Sequence, residues 1–165
     1  SYSSVESDTG KRVIDAYKHL DKEFLLLYGD NFWIPNIKKM YINLRQICFI
    51  STTVFSNKFG TAEYGKQNNI FVKKNCFVEK YDQSRTDKKL NGVDIGFFIV
   101  KKLFLKNFNK KNKNYSFEKD ILVKSVKLKK LIAFKTDRQY FSITNIKMLK
   151  IFEKYIKKKT KILSL

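Results

Sequence analysis

Segments with helical periodicity alternate with short apolar runs in the first third of the chain, and this alternation constrains the fold most strongly. Residues 11–20 carry apolar side chains at helical spacing. The run "EFLLLYGD" follows, and its continuous apolar character is typical of a strand buried on both faces. "IPNIKKMYINLR" returns to helical spacing, with Pro35 near its start, and "QICFISTTVF" is rich in β-branched and aromatic residues. The order helix, strand, helix, strand predicts an α/β domain.

Shorter strands and two further helices are predicted from Tyr64 onward. "YGKQNNIFVKKNCFVEKYD" has the pattern of an antiparallel hairpin with Asn68-Asn69 at its turn. "VDIGFFIVKKLFL", "LIAFKTD" and "QYFSI" are apolar runs of strand type, and "SFEKDILVKSVKLKK" predicts an amphipathic helix capped by Ser116. "TNIKMLKIFEKYIKK" predicts a closing helix that opens at Thr144 or Asn145. Because the first predicted element is a helix, we expect a strand to precede residue 1.

Composition narrows the class of protein. Hydrophobic side chains make up 43% of the 165 residues, which is enough for a core and excludes global disorder. No apolar stretch reaches the length of a membrane-spanning helix. Cys48 and Cys76 stand in apolar surroundings without metal-site spacing, so we interpret them as reduced core residues of a cytoplasmic protein. His19, the single histidine, lies on the first predicted helix, and we expect it at the surface and not in a catalytic constellation.

The formal net charge of +20 is spread along the whole chain. Lysines occur mostly in pairs, and only residues 106–114 and 157–161 are densely basic. This distribution favours a solvated lysine surface over a nucleic-acid groove, and either would attract an anionic ligand. A basic nucleic-acid-binding module is therefore kept as the alternative function.

Asp30 ends the second predicted element, directly after Gly29. Ligands of open parallel sheets bind beyond the carboxyl ends of the strands, so Asp30 is predicted to lie where a ligand would bind. A carboxylate on such a turn can hold Mg²⁺ against nucleotide phosphates. The residues alone equally allow Asp30 to cap the next turn through Asn31.

Five motifs occur in the order in which sugar-1-phosphate nucleotidyltransferases carry theirs, over about residues 8–156. They are "DTGKRVIDAYKHL" leading into "EFLLLYGDNF", then "AEYGKQNN", "FVEKYD", "VDIGFFIVKK" and "SFEKDIL". The chain resembles that family. The resemblance implies a GT-A-like, Rossmann-related, three-layer α/β domain with a mixed, mainly parallel sheet and an added antiparallel hairpin region. It also implies transfer of a nucleoside monophosphate from an NTP to a sugar 1-phosphate. The products are pyrophosphate and an NDP-sugar for surface polysaccharide synthesis.

The resemblance implies a role for each site residue. Asp30 would bind the catalytic Mg²⁺, Lys80 would hold the sugar phosphate, and Glu79 would accept hydrogen bonds from sugar hydroxyls. The nucleotide would lie against three residues of the early motifs: Thr9, Gly10 and Gly29. The sugar would be approached by three residues of the later motifs: Gly65, Asp94 and Gly96.

The chain departs from the family pattern in three features. Asp94 replaces a usual asparagine, and Ser142 stands where many members carry a second metal-binding aspartate. Serine there resembles the branch linked to heptose-phosphate guanylylation, which favours GTP with a heptose or hexose 1-phosphate. It also fits a non-catalytic, sugar-phosphate-binding relative. The family's glycine-rich triphosphate loop does not occur within residues 1–165, so we expect a fragment with little activity alone.

Two units are predicted along the chain. Residues 1–156 correspond to the nucleotidyltransferase domain, incomplete at its start. Residues 157–165 form a basic linker whose end resembles the first strand of a following domain. The sequence is compatible with an oligomer.

Overall fold

The computed structural model describes residues 2–56, 68–108 and 113–163, with side chains to residue 158. Helix α1, Thr9–Asp15, begins at the Asp8 cap, whose carboxylate accepts a hydrogen bond from the Thr9 amide, 2.7 Å away. It continues as a 3₁₀ helix, Ala16–His19, and His19 is exposed as expected. The predicted first helix is confirmed, with its start two residues earlier.

A four-stranded mixed sheet forms the centre of the domain, in the order β1-β6-β3-β7. The strands are β1 (Glu23–Leu27), β3 (Ile50–Phe55), β6 (Val93–Lys101) and β7 (Leu131–Thr136). Strand β3 pairs parallel with β7, and β6 lies antiparallel between β1 and β3. Three of the four strands therefore share one direction. The carboxyl ends of these three strands and the start of β6 lie on the same side of the sheet, which we call its carboxyl edge.

Strand β1 is an edge strand of this sheet, so the predicted burial on both faces is wrong. Phe24 and Leu26 pack on one face and Leu25 on the other, but each keeps part of its surface accessible. Leu27 is 49% exposed. The strand of this sheet whose side chains are all buried is β3, which lies inside the sheet between β6 and β7 and is covered on both faces.

Helices cover both faces of the sheet, which confirms the three-layer α/β architecture. Helix α1 and the helical segment that follows Ser116 pack against one core cluster, around Phe98 and Phe117. That segment consists of a π-helix, Phe117–Leu122, and α3, Val123–Lys127, and Ser116 caps it as predicted. Helix α2, Ile37–Asn43, places Met40 in the second cluster, with Trp33 and Tyr140.

The predicted hairpin forms, but its turn lies elsewhere. Strands β4 (Ile70–Val72) and β5 (Val78–Tyr81) pair antiparallel, so the turn spans residues 73–77 and not Asn68-Asn69. Cys76 supplies the turn with a left-handed φ of 69°, and the Asn75 side chain accepts a hydrogen bond from the Phe77 amide. Cys76 is therefore a half-buried turn residue and not the predicted core residue, whereas Cys48 is buried.

A two-stranded ribbon joins the first half of the chain to the closing helix. Strand β2 (Asn31–Phe32) pairs antiparallel with β8 (Phe141–Ser142). Helix α4, Ile146–Leu163, follows, and the Asn145 side chain accepts from the Met148 amide as an N-cap. The helix runs through residues 157–163, where the sequence predicts a linker or a strand. Within the described ranges, no helix combines the length and apolarity needed to cross a membrane.

A 3₁₀ helix, Lys102–Phe108, directly follows β6. Three of its residues belong to the first core cluster: Phe104, Leu105 and Phe108. This segment was predicted as the end of the β6 strand, so the strand is shorter than the apolar run. The chain leaves the sheet at Lys101, and its apolar side chains then cover the sheet face.

Candidate functional site

Asp30 lies in the turn between β1 and β2 at the carboxyl edge of the sheet. Its carbonyl oxygen accepts a hydrogen bond from the Ile143 amide at 2.7 Å, while the residue is exposed. The carboxylate makes no hydrogen bond or ion pair with a described residue. The Asn31 amide donates to the Tyr28 carbonyl, 3.2 Å away, so the alternative in which Asp30 caps this turn through Asn31 is not what the chain adopts.

Ser142 lies beside the Asp30 turn. The ribbon pairs Ser142 with Asn31, and the Ile143 amide donates to the Asp30 carbonyl, so the two predicted metal-site positions lie next to each other, Asp30 in the turn before β2 and Ser142 on β8. The Ser142 hydroxyl is buried and has no hydrogen-bond partner within the described parts of the chain. Its role in a second metal site stays a prediction.

Gly96 lets β6 approach the Asp30 turn closely. It has a φ of +74°, and a Cβ there would lie 2.7 Å from Tyr28 Cδ2 and 2.8 Å from Asn31 Nδ2. The Tyr28 amide donates to the Gly96 carbonyl at 3.0 Å, and Asn31 Nδ2 donates to the Ile95 carbonyl at 2.9 Å. Only glycine fits this position without strain. By contrast, a Cβ on Gly29 would meet nothing within 4 Å.

The pairing of β6 with β3 is interrupted at Gly96, and this bulge directs Asp94 toward β3. The register shifts between Thr52 and Val54. Asp94 Oδ1 accepts hydrogen bonds from Thr52 Oγ1 at 2.9 Å and from the Gly96 amide at 3.0 Å. The sequence-predicted residues Asp30, Asp94 and Gly96 thus share one edge of the sheet.

Burial raises the pKa of Asp94 to about 6 against an ordinary 3.8. Hydrogen bonds from Gly96, Thr52 and Tyr81 act in the opposite direction, and the Glu118 carboxylate adds to the rise. The residue keeps some accessible surface, but its carboxyl lies among protein groups. Partial access and a costly charge together make this carboxyl a candidate for ligand contact.

Asp94 and a second acid, Glu118, each accept a hydrogen bond from a tyrosine, and the four groups interact electrostatically. The Tyr81 hydroxyl donates to Asp94 Oδ2 at 3.3 Å, and the Tyr28 hydroxyl donates to Glu118 Oε1. Burial first, and the neighbouring acids next, hold the pKa of both tyrosines well above the usual range, so both remain donors. We call Tyr28, Tyr81, Asp94 and Glu118 the acid–tyrosine cluster.

Tyr28, Tyr81 and Glu118 are not among the residues predicted from the sequence. Tyr28 directly precedes Gly29-Asp30, and Tyr81 directly follows Glu79-Lys80, so both adjoin predicted motifs. A polar aromatic residue at the end of an apolar run is the signal that could have identified them. Glu118 carries no comparable signal, because an acid near a helix start is explained by the helix itself.

Thr9 and Gly10 make contacts within the fold. Thr9 Oγ1 accepts a hydrogen bond from the Phe117 amide at 3.1 Å and donates to Glu118 Oε2 at 3.3 Å. A Cβ on Gly10 would lie 2.7 Å from the Tyr115 carbonyl oxygen, so glycine allows α1 to pack against this backbone. The predicted nucleotide contacts of both residues stay predictions.

Glu79 and Lys80 are exposed on β5 and form ion pairs of their own. Glu79 Oε1 lies 2.8 Å from Lys73 Nζ, and Lys80 Nζ lies 2.6 Å from Asp87 Oδ2. The hydrogen bond to Asp87 raises the pKa of Lys80 and lowers that of Asp87. Within the described ranges, no hydrogen bond or ion pair joins either residue to Asp30. The predicted partner Gly65 lies outside the described residues.

Metal ligands are sparse at this edge. In the part of the chain that the structure describes, no three His, Cys, Asp or Glu side chains are grouped so as to hold a metal ion. Asp30 supplies one free carboxylate, a hard oxygen ligand of the kind that Mg²⁺ prefers when phosphates and water complete its coordination. The residues therefore fit a Mg²⁺ site that depends on its ligand's own oxygens.

Solved structures share this fold. HddC from Yersinia pseudotuberculosis superposes with a TM-score of 0.68 at 18% identity, over 92% of this chain and 64% of that one. HddC complexed with GMP-PN gives the same values. A protein assigned as a glucose-1-phosphate thymidylyltransferase from Bacillus anthracis, in complex with a sucrose, gives 0.69 at 11% identity, over 91% and 62%. The chain thus spans less than two thirds of each protein's length. No family model and no curated protein sequence matches it.

Proposed function

We propose that this chain is the sugar-phosphate and metal-binding part of a sugar-1-phosphate nucleotidyltransferase. The contact of Gly96 with Tyr28 and Asn31 carries the proposal, because it holds the Asp30 turn beside Asp94. Both lie at the edge of an α/β sheet where ligands of such folds bind. The superposition on HddC, a heptose-1-phosphate guanylyltransferase, supports the same assignment, as does the HddC complex with GMP-PN.

The proposed reaction joins a nucleoside triphosphate and a sugar 1-phosphate. An oxygen of the sugar phosphate attacks the α-phosphorus, a new P–O bond forms, and the bond to the leaving pyrophosphate breaks. Such a transfer needs alignment and neutralisation of negative charge, with little proton chemistry. Mg²⁺ held by Asp30 would supply part of that neutralisation. The order of the motifs and the HddC fold favour GTP and a heptose or hexose 1-phosphate.

Lys80 is proposed to orient the sugar phosphate through its charge. Its present partner, Asp87, forms an exposed ion pair, and such pairs contribute about 0–1 kcal/mol. Exchange of Asp87 for a phosphate is therefore inexpensive. Glu79 is proposed to accept hydrogen bonds from sugar hydroxyls after leaving Lys73, which is an exposed partner of the same kind.

Pyrophosphate release tests the proposal. Because the chain spans less than two thirds of the solved structures it superposes on, the assay uses the protein translated from the whole reading frame, with Mg²⁺, each NTP and a set of hexose and heptose 1-phosphates. Asp30→Asn is expected to lower turnover at least hundredfold at unchanged stability, because the carboxylate has no described partner. Asp21→Asn removes another exposed carboxylate and should leave turnover unchanged. Equal rates in Asp30→Asn and the unmodified protein would reject the proposal.

A nucleic-acid-binding module is the second candidate, and helix α4 favours it. Its exposed face carries lysines at helical spacing without a described ion pair: Lys147, Lys150, Lys154 and Lys157. Binding of single strands also needs exposed aromatic rings. The aromatic rings of α4 instead pack inward, with Phe152 4.7 Å from the Phe32 ring and Tyr155 4.6 Å from the Phe141 ring. Retention on DNA at moderate salt would favour this candidate, and loss of retention would reject it.

A further inference from the structure

The Asp30 turn is held in place by the residues on either side of it. Gly29 contributes no packing, because a Cβ there would meet nothing within 4 Å. On the far side of the turn the ribbon fixes the chain, since Asn31 belongs to β2 and the Ile143 amide donates to the Asp30 carbonyl. On the near side the chain is fixed by Tyr28. The direction of the Asp30 carboxylate therefore depends on how firmly Tyr28 is held.

Tyr28 is attached to two different layers of the domain. Its amide donates to the Gly96 carbonyl at 3.0 Å, and its ring lies edge-on to the Phe98 ring, with 5.7 Å between the centroids. Both of these contacts are made with β6, in the sheet. The Tyr28 hydroxyl instead donates to the Glu118 carboxylate, in the π-helix that covers the sheet. Glu118 is therefore the point at which the helical layer holds the residue two positions before Asp30.

The Glu118 carboxylate is itself held by hydrogen bonds. Its Oε2 atom accepts from Thr9 Oγ1 at 3.3 Å and from Ser116 Oγ at 3.2 Å. Thr9 is fixed in turn, because its hydroxyl accepts from the Phe117 amide at 3.1 Å. The other oxygen, Oε1, accepts from Tyr28. A carboxylate is a stronger acceptor than a neutral group, so Glu118 is well suited to hold a tyrosine in one position.

Glu118 lies in a helix of unusual geometry. The Ile121 amide donates to the Ser116 carbonyl, five residues earlier, at 3.3 Å, as in a π-helix. The Ser116 amide donates to Asp120 Oδ2 at 2.8 Å and so fixes the start of this segment. A π-helical turn is rare and occurs frequently at functional sites. The irregular helix and the bond to Tyr28 together distinguish Glu118 from an ordinary acid near a helix start.

We propose that Glu118 is a positioning residue that, through the Tyr28 hydroxyl, fixes the direction in which Asp30 presents its carboxylate to Mg²⁺. This inference rests on the proposed function, because that function assigns the metal to Asp30. A carboxylate that is already oriented loses less conformational freedom when it binds, so the link should raise the affinity for the metal. Glu118 would act only through Tyr28 and would contact neither metal nor substrate.

Hydrogen exchange on this chain, without metal, tests the positioning directly. Three hydrogen-bonded backbone amides report on the turn: Tyr28, Asn31 and Ile143. Tyr28→Phe removes only the hydroxyl, and we expect these amides to exchange at least about tenfold faster, relative to the Ala133 amide in the central sheet. Ser125→Ala is the matched control, because it removes a buried hydroxyl bond, to the Leu122 carbonyl at 2.7 Å, from the same helical layer. The control should leave the relative exchange of the turn amides unchanged.

The protein translated from the whole reading frame supplies a second measurement. In Tyr28→Phe the Mg²⁺ concentration for half-maximal pyrophosphate release should rise at least about fivefold, while the KM for the sugar phosphate changes less than about twofold. Glu118→Ala should reproduce both results. Glu118→Gln keeps an acceptor for the tyrosine and should restore most of the Mg²⁺ affinity. Ser125→Ala should match the unmodified protein.

The outcomes separate the inference from the proposed function. Turn amides that exchange equally fast in Tyr28→Phe and in Ser125→Ala would overturn the positioning role, whatever the reaction. Faster exchange with an unchanged Mg²⁺ requirement would overturn the link to the metal and leave the nucleotidyltransferase proposal standing. Failure of the unmodified protein to release pyrophosphate from any substrate pair would overturn the proposed function and this role of Glu118 with it. Tyr28→Phe decides the inference even if Glu118→Ala does not fold.

Discussion

The Tyr28 hydroxyl donates a hydrogen bond to the carboxylate of Glu118, 90 residues further along the chain. Tyr28 directly precedes the Asp30 turn, and Glu118 lies in the helical segment that packs against α1. Glu118 also accepts from Thr9 on α1, so one carboxylate ties three separate parts of the fold together behind the proposed site.

Replacement of Tyr28 by phenylalanine tests this connection. Tyr28→Phe removes the donor and leaves Glu118 with fewer partners in a partly buried position, so we expect a loss of about 1–2 kcal/mol in the free energy of unfolding. Urea denaturation measures it. Tyr41→Phe is the matched control, because the Tyr41 hydroxyl also bonds an acid, Glu23, but at a position that is 52% exposed, so its loss should change stability much less. Equal urea midpoints for the two variants would contradict the structural role of the Tyr28 hydroxyl.

Gly96 is expected to be intolerant of a side chain. In Gly96→Ala the Cβ would overlap the Tyr28 ring and Asn31, and the residue would have to keep a φ of +74°. Overpacking and strain together should cost about 2–4 kcal/mol, seen as a lower thermal midpoint. Gly29→Ala provides the comparison, because its Cβ would meet no atom within 4 Å. The thermal midpoint of Gly29→Ala should equal or slightly exceed that of the unmodified chain. An equally large loss in Gly29→Ala would contradict the proposed difference between these two glycines.

Stability should depend on pH through Asp94. Burial raises its pKa from 3.8 to about 6 in the folded chain, so the folded state binds the proton more tightly than the unfolded state. The contribution of Asp94 to the free energy of unfolding should therefore fall as the pH rises from about 4 to 6, by up to about 3 kcal/mol. The groups around the carboxyl are Tyr81, Tyr28 and Glu118, with Arg85 near Tyr81, and the tyrosines stay neutral throughout.

Asp94→Asn cannot ionise and should lack this decline. The variant is expected to be about 1–3 kcal/mol more stable than the unmodified chain at pH 8 and about equal to it at pH 4. Guanidinium unfolding at several pH values, with Asp21→Asn as the control, measures the difference. A gap between Asp94→Asn and the unmodified chain that stays constant from pH 4 to 8 would rule out this linkage.

A substitution of Lys80 tests the proposed function at a position that contributes little to fold stability. Lys80→Met breaks an exposed pair with Asp87, so the urea midpoint should hardly change. The KM for the sugar phosphate should rise at least tenfold, because a charge on the substrate loses its partner. Lys113→Met is matched in exposure, 51% against 49%, and breaks a comparable pair with Asp120. If both variants showed the same KM, the proposed contact of Lys80 with phosphate would be wrong.

Local periodicity was sufficient to predict most of the elements and the class of fold. Helices α1, α2 and α4 and the strands β1, β3, β6 and β7 follow from apolar spacing, and the caps at Ser116 and Asn145 follow from residue type. Their pairing did not follow, because the order β1-β6-β3-β7 depends on contacts between distant segments. The position of β1 at the edge of the sheet was therefore not predicted. The turn at residues 73–77 was missed because its left-handed residue is Cys76, which has no turn signature in sequence.

In the candidate site, too, some residues were predicted from local motifs and others are recognised only in the packed fold. Asp30, Asp94 and Gly96 were predicted from motifs, and the sheet does bring them to one edge. The contacts of Tyr28, Tyr81 and Glu118 arise only when β1, β5 and the segment after Ser116 pack together. No local pattern carries that information. The ion pairs of Glu79 and Lys80 are likewise set by neighbours in the folded chain.

The ribbon of β2 and β8 gives the closing helix a mechanical link to Asp30. The Ile143 amide donates to the Asp30 carbonyl, and three residues later the chain enters α4, whose Phe152 ring packs on Phe32 of the same ribbon. Helix α4 and the Asp30 turn are thus attached to the same short ribbon. We therefore expect a substitution that shifts α4 to move the Asp30 backbone as well.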